Sequence, residues 1–357
     1  MADLFTPLQL GALTLNNRIL MAPLTRCRAD DAHIPSELMA THYAQRASAG
    51  LLIAEATMAM AGTSAFWKEP GIYHQAQIEA WKRVTDAVHE AGGKIVLQIW
   101  HGGRACHPDL NDGAMAVAPS AIAIQNETVY TPKGKQNYTQ PKALSVSEIQ
   151  AIVEGFAMAT RHAALAGFDG VEVHGANGYL IDQFLRDGSN RRDDDYGGSI
   201  ENRSRFLKEV LQAVCDTWSS DRVGLRLSPL NSFNDMVDSN PIALTTYLAH
   251  ELNAFQLAYV HMMRSDFYGK QSGDVLTPMR AHYQGKLIAN MGYTPAEAQQ
   301  AIEQGRVDAV AFGNAFIANP DLPERIRLGA PIVEANPDTY YAGGAKGYTD
   351  YLPLLAS

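Results

Sequence analysis

The chain is 357 residues long, 46% apolar and 19% charged, with a formal net charge of −9; it has ample material for a soluble core, and with no basic block it argues against nucleic acid or an anionic membrane as a partner. Its three cysteines, Cys27, Cys106 and Cys215, are odd in number and form no Cys-x-x-Cys, which argues against a disulfide framework or zinc knuckle and favours reduced thiols in a cytoplasm. No basic start precedes an apolar run at the N-terminus, and the best apolar stretch, 51–62, is interrupted by Glu55 and falls short of the roughly 20 residues that span a bilayer.

Leu8 to Leu15 followed by Asn16-Asn17 predicts an N-terminal hairpin that closes the floor of the fold. Short apolar runs then recur over 19–22, 51–54, 95–99, 170–173, 223–227, 257–260, 287–289 and 309–312. Between most of them the sequence takes a helical period, as over 75–91, 146–166, 201–218 and 295–304. Ser145 with Glu148 reads as a capping box, and Ser199 before Asn202 as a second helix start. Gly92, Gly167 and Gly305 read as helix stops. Eight strands alternating with helices predict an α/β fold, a (β/α)8 TIM barrel in a single domain over 1–357. One spacing breaks the repeat. From about 101 to 145 the chain is rich in Pro, Asn, Thr and Gly and has little helical period. A long loop inside a compact domain is usually functional, so this insertion after the third strand is expected to cap the barrel mouth and to carry a small hairpin.

In such a barrel the chemistry belongs at the C-terminal ends of the strands. The first strand ends in Ala22-Pro23-Leu24-Thr25, whose amides and hydroxyl either face a ligand or form an ordinary turn. In the third, Gln98 and Trp100 share a face, and an amide there either joins a buried network or binds a ligand. The fifth carries Arg226 among Val223, Leu225 and Leu227; a buried guanidinium needs a carboxylate or an anionic ligand. The fourth hands over to His174, Asn177 and Tyr179. Two donors there would hold an oxygen as negative charge develops on it, with the phenol as general acid. Gly292 after the seventh strand and Phe312-Gly313-Asn314 after the eighth stand where such barrels often bind phosphate through backbone amides. The run Arg191 to Asp195 reads as a solvated or salt-bridged loop, and no His-x-x-x-His or clustered His and carboxylate set suggests a metal.

Taken in this order, the pieces resemble the old yellow enzyme family of FMN-dependent ene-reductases, from about Leu4 to Tyr351. The resemblance is most specific over His174 to Phe206, HGANGYLIDQFLRDGSNRRDDDYGGSIENRSRF. APLTR (22–26), EAT (55–57), QIWHGGR (98–104), FNDMVDSNP (233–241) and FGNAFIANPDL (312–322) support it. Thr25, where another branch has Cys, resembles the branch of pentaerythritol tetranitrate reductase, N-ethylmaleimide reductase and the oxophytodienoate reductases. The resemblance implies tightly but non-covalently bound FMN. Ala22, Pro23, Leu24, Thr25, Ala56, Gln98 and Arg226 would hold its ring, and Gly292, Phe312, Gly313 and Asn314 would lie along its phosphate. It implies that His174 and Asn177 bind the substrate oxygen, that Tyr179 donates the proton, and that Phe66 and Tyr348 line the pocket.

The implied reaction takes hydride from NADPH, or from NADH, to flavin N5 and on to the β-carbon of an activated alkene. Its substrates would be α,β-unsaturated carbonyls and nitroalkenes. Reduction of nitrate esters or nitroaromatics is the alternative on the same site; a flavin-free barrel lyase or a binding protein is the alternative class. A monomer or homodimer is expected. Two departures stand out. Asn314 replaces the arginine of the family's FGR pattern, and a neutral amide cannot replace that charge on phosphate. Ala105-Cys106 replaces the Val-Ser often found after HGGR.

Overall fold

The computed structural model describes residues 2–354, so residue 1 and residues 355–357 of the expected domain lie outside the described residues. Strands β1 (Leu8–Leu10) and β2 (Leu13–Leu15) pair antiparallel as the expected hairpin. The turn is made at Gly11, where φ is 57° and the carbonyl of Asp221 fills the space of a side chain. The chain continues through β3 (Ile19–Met21), α1 (Glu37–Ala44), β4 (Leu51–Met58), α2 (Gln75–Glu90) and β5 (Ile95–Trp100). The cap follows, with β6 (Val117–Ala118), β7 (Thr128–Thr131), β8 (Gly134–Asn137) and β9 (Lys142–Ala143). Within it β7 and β8 form the expected small hairpin, while β6 and β9 pair parallel.

Next come α3 (Val146–Leu165), β10 (Gly170–Gly175), α4 (Leu180–Leu185), α5 (Ile200–Arg203), α6 (Arg205–Thr217) and β11 (Val223–Leu227). The last part comprises α7 (Pro241–Glu251), β12 (Tyr259–Met263), α8 (Leu276–His282), β13 (Leu287–Asn290), α9 (Pro295–Glu303), β14 (Ala309–Phe312), α10 (Asn314–Ala318) and α11 (Leu322–Leu328). Strands β3, β4, β5 and β10 to β14 close into one parallel barrel, with β14 paired back to β3.

Two apolar regions hold it. The larger lies between the outer strand faces and the helices, around residues such as Trp81, Phe156, Phe184 and Phe206. The smaller plugs the floor: Leu8, Leu10, Leu13 and Leu15 of the hairpin pack with Leu20, Leu51, Ile53 and Ile288 of the strands. Burial of that apolar surface is the main favourable term. The Ser145–Glu148 capping box is formed, and Ser199 accepts the Asn202 N–H. Gly92, Gly167 and Gly305 all have positive φ at helix ends.

Most element ends fall within two residues of the sequence reading, and three departures have a consequence or a visible cause. Strand β4 runs through Glu55 to Met58 because the buried carboxylate has partners of its own. The expected helix over 201–218 is broken at Ser204, where the chain seats buried Arg203 against Asp238 at 2.8 Å. Strand β12 begins at Tyr259, two residues later than expected.

Candidate active site

At the C-terminal mouth of the barrel a cavity of about 360 Å3 brings together Pro23, Leu24, Thr25, Ala56, Phe66, Gln98, His174, Asn177, Tyr179, Arg226 and Asn314. It adjoins an outer vestibule of about 850 Å3 beneath the cap, and the two share Phe66, Tyr179, Phe233, Tyr268 and Tyr341. These volumes suit small organic ligands, and the aromatic walls suit flat ones.

Each strand end has a local reason for its geometry. Ala22 closes the barrel seam, its N–H donating to Phe312 O at 2.9 Å, so it is buried behind the wall rather than part of it. The β4–β5 register shifts between Ala54 and Thr57. Such a bulge re-aims side chains; here Ala56 lines the cavity. Glu55 accepts the Arg26 N–H and the Tyr43 hydroxyl, both at 3.1 Å. Burial pushes its carboxyl up to about 7 against those hydrogen bonds.

The cavity floor is a polar network inside the barrel. Gln98 Nε2 donates to Glu172 Oε1 at 2.7 Å, and His261 Nδ1 meets Glu172 Oε2 at 2.9 Å. Arg226 Nη2 donates to Asn290 Oδ1 at 3.0 Å, and Asn290 Nδ2 to Ala311 O at 2.8 Å. Burial alone would raise the Glu172 carboxyl, but His261, Arg226 and Gln98 hold it below its ordinary value, so it is ionised. Burial pushes His261 down against the opposing pull of Glu172, and its Nδ1 faces the carboxylate. An ionised carboxylate only accepts, so Gln98 must turn its amino group down and its carbonyl oxygen toward the cavity. Gln98 therefore joins a buried network and also lines the cavity.

At the rim, Asn177 sits at φ 58°. Its N–H donates to Ser228 Oγ at 2.8 Å, and its carbonyl accepts from Asn234 Nδ2 at 2.9 Å. Burial, with Arg226 and His261 adding to it, holds His174 well below its ordinary value, so the imidazole is neutral. Tyr179 stands edge-on to Trp100, centroids 4.3 Å apart, and 5.2 Å from the His174 ring. Burial pushes its phenol well above the usual range, which keeps the proton in place. Asp182 fixes the turn between Asn177 and Tyr179: its Oδ2 accepts the Gly178 N–H at 2.8 Å, and Arg186 pairs with it at 2.9 Å.

One expectation is corrected in placement. Tyr348 does not line the cavity. It is fully buried, stacked on His42 at 3.9 Å with the Arg28 guanidinium 4.8 Å over its face. Tyr340 and Tyr341 from the same C-terminal segment line the cavity instead. The run Arg191 to Asp195 is the expected salt-bridged loop and clamps the cap: Arg192 pairs with Asp194 and donates to Pro119 O and Leu144 O at 3.0 and 2.6 Å. Gly292, Phe312 and Gly313 lie at the strand ends beside the cavity without lining it, and Asn314 alone of that group does. Sequence reasoning missed the basic side chain packed on this turn. Arg264 donates to Met291 O and Gly292 O at 2.8 and 2.7 Å and lies 3.7 Å over the Tyr293 ring. It also missed Phe233 and Tyr268, which come from loops with no periodic signal.

Arg226 Nε is buried without a partner on a residue that lines the inner cavity, and Gln98 turns an acceptor into the same space. A flat heteroaromatic ring with both donors and acceptors answers that set, so the residues present fit the isoalloxazine of FMN. Among the described residues no metal-ligand cluster occurs, and no helix is long and apolar enough to cross a membrane. Fold and cavity together define a barrel-type flavin oxidoreductase.

Comparison with known proteins narrows that class. The model of the NADH:flavin oxidoreductase / NADH oxidase family matches residues 3–332, and the chain belongs to this family, in its old yellow enzyme group. It is 49% identical over 350 residues to a probable flavin mononucleotide-dependent alkene reductase of Leishmania infantum, covering 97% of this chain and 96% of that one. The structure of the old yellow enzyme from Trypanosoma cruzi superposes with a TM-score of 0.96 at 45% identity, covering 99% of each chain. Morphinone reductase in complex with tetrahydroNAD gives 0.94 at 46% identity, covering 99% of this chain and 98% of that one. Membership sets aside the flavin-free lyase and the binding protein.

Proposed function

We propose that the chain reduces activated carbon–carbon double bonds, those of α,β-unsaturated carbonyls and nitroalkenes, using FMN and an external NADPH or NADH. The observation that carries this reading is the rim: two neutral donors, His174 and Asn177, stand beside a phenol kept protonated by burial, over a cavity that fits a flavin. The name of the Leishmania relative and the tetrahydroNAD held by morphinone reductase support the substrate class and the donor.

Pro23, Leu24, Thr25, Ala56, Gln98 and Arg226 would hold the isoalloxazine, with Ala22 behind them. Gly292, Phe312, Gly313 and Asn314 would serve its phosphate, with Arg264, which also pairs with Glu297, as the basic side chain packed on that turn. When bound, FMN supplies the hydride that the protein itself cannot. His174 and Asn177 grip the carbonyl or nitro oxygen and draw electron density from the alkene, which makes the β-carbon electrophilic. Tyr179 delivers its proton to the α-carbon. Arg226 would bring a positive charge to the flavin site and so favour the electron-rich reduced ring. The aromatic vestibule also favours nitroaromatic ligands as a second reading, which product analysis separates from alkene reduction.

Anaerobic stopped-flow of the two half-reactions tests the assignment. In Tyr179→Phe, alkene reduction is expected to slow by about 10²- to 10⁴-fold, while flavin reduction by NADPH or NADH stays within a few-fold. Equal losses in both halves would overturn the proton-donor role.

A further inference from the structure

We propose that Asn231 is a positioning residue for the substrate grip: it locks the Asn177 side chain so that the amino group, not the carbonyl oxygen, faces the cavity. This deepens the alkene-reductase reading and rests on it. The two ends of an asparagine amide are nearly alike in shape and opposite in polarity. An unlocked amide would offer a substrate oxygen an acceptor as readily as a donor.

The polarity here starts from the backbone. The Phe267 N–H can only donate, and it donates to Asn231 Oδ1 at 3.2 Å. Asn231 Nδ2 is then the free end, and it donates to Asn177 Oδ1 at 2.8 Å. With its oxygen engaged, Asn177 presents Nδ2 to the cavity it lines. Every step is held in place. Asn231 is fully buried; its carbonyl accepts from Arg186 Nη1 at 2.8 Å and its N–H donates to Ser228 O at 3.0 Å. Asp266 gathers the N–H groups of Ser232, Tyr268, Lys270 and Gln271 at 2.7 to 3.2 Å, which fixes the loop that carries Phe267. The relay therefore crosses from the loop after β12, through that after β11, to that after β10. Asn231 lines neither cavity; it acts through Asn177.

The test titrates the FMN-loaded protein with p-hydroxybenzaldehyde and follows the long-wavelength charge-transfer absorbance. In Asn231→Asp the carboxylate still accepts from Phe267 but has nothing to donate, so Asn177 reverses. Affinity is expected to fall about 10- to 100-fold, the loss of one hydrogen bond to a charged oxygen. Asn231→Ala removes the lock without reversing the amide, and a smaller loss is expected. Both changes are repeated in an Asn177→Ala background, where neither should lower affinity further. An undiminished effect there would mean that Asn231 acts by charge or general packing, and would overturn the proposal. So would unchanged affinity in Asn231→Asp with Asn177 intact. Should Asn231→Asp not fold, the Asn231→Ala cycle carries the same decision. A wild-type protein that binds no FMN would instead sink the alkene-reductase reading.

Discussion

Of the three amides that line the inner cavity, Gln98, Asn177 and Asn314, the first two are pinned, and the protein sets their polarity by opposite means. On the floor, Gln98 is pinned by an ionised carboxylate on the neighbouring strand, so it offers an acceptor. At the rim, Asn177 is pinned by a neutral amide relay that ends in a loop N–H, so it offers a donor. The floor uses charge inside a barrel whose register is fixed by strand pairing. That is stiff, but it takes ions out of water and depends on their staying paired. The relay at the rim is neutral, which is cheaper to bury, but it draws on three loops that Asp182, Arg186 and Asp266 hold in place. On the proposed function, loop changes can therefore retune the grip on substrate while the floor stays as it is.

The largest expected effect attacks the floor. Glu172→Leu leaves Arg226 buried without its nearby negative charge and frees Gln98 to turn. A loss of about 3–5 kcal/mol in unfolding free energy is expected, read by urea denaturation. A loss below about 1 kcal/mol would mean that the floor does not depend on charge, and the contrast with the rim would collapse.

A smaller effect separates the regions by pH. The floor carboxylate Glu172 is ionised, whereas burial pushes Glu69, which accepts the Ala65 and Phe66 N–H groups of the rim, up to about 8. A carboxyl raised in the folded state binds more protons there than in the unfolded chain. Stability from this group is therefore full below its ordinary value of 4.5 and is lost as pH rises through about 8. Glu69→Gln should gain melting temperature relative to wild type progressively from pH 5 to 9, by a few degrees. A difference that is flat across that range would show that Glu69 does not titrate there. Glu55, raised to about 7, keeps the lower part of the slope in both proteins.

The smallest effect concerns the phosphate end. Asn314→Arg should slow FMN release a few-fold, measured by flavin fluorescence during dialysis, because a guanidinium adds a charge-assisted partner. No change would mean that backbone amides and Arg264 already suffice.

Much of the floor was legible in the sequence because polar residues in apolar strands must be satisfied somewhere. Gln98 and Arg226 announced themselves that way, and His174, Asn177 and Tyr179 did so by following a strand. Even so, the requirement did not name the partner: Glu172 lies inside the run 170–173, yet nothing in its spacing ties it to Gln98, 74 residues away. The Asn231 relay spans separations of 54 and 36 residues between irregular loops, so no period marks it. Tyr348 shows the same limit. The C-terminal segment does reach the cavity, but which of its tyrosines faces inward is decided by the buried guanidinium of Arg28 and the His42 ring, which together draw Tyr348 away.

The left-handed backbone at Asn177 restricts what evolution or a designer can place there. At φ 58° glycine is free, asparagine, aspartate and histidine are tolerated, and most other side chains are strained. Glycine has nothing to donate, and an ionised aspartate would repel the oxygen it should hold. The backbone thus reduces the choice of residue at this position to an amide or an imidazole before any substrate is considered, so new specificity is better sought in the aromatic vestibule than in the grip.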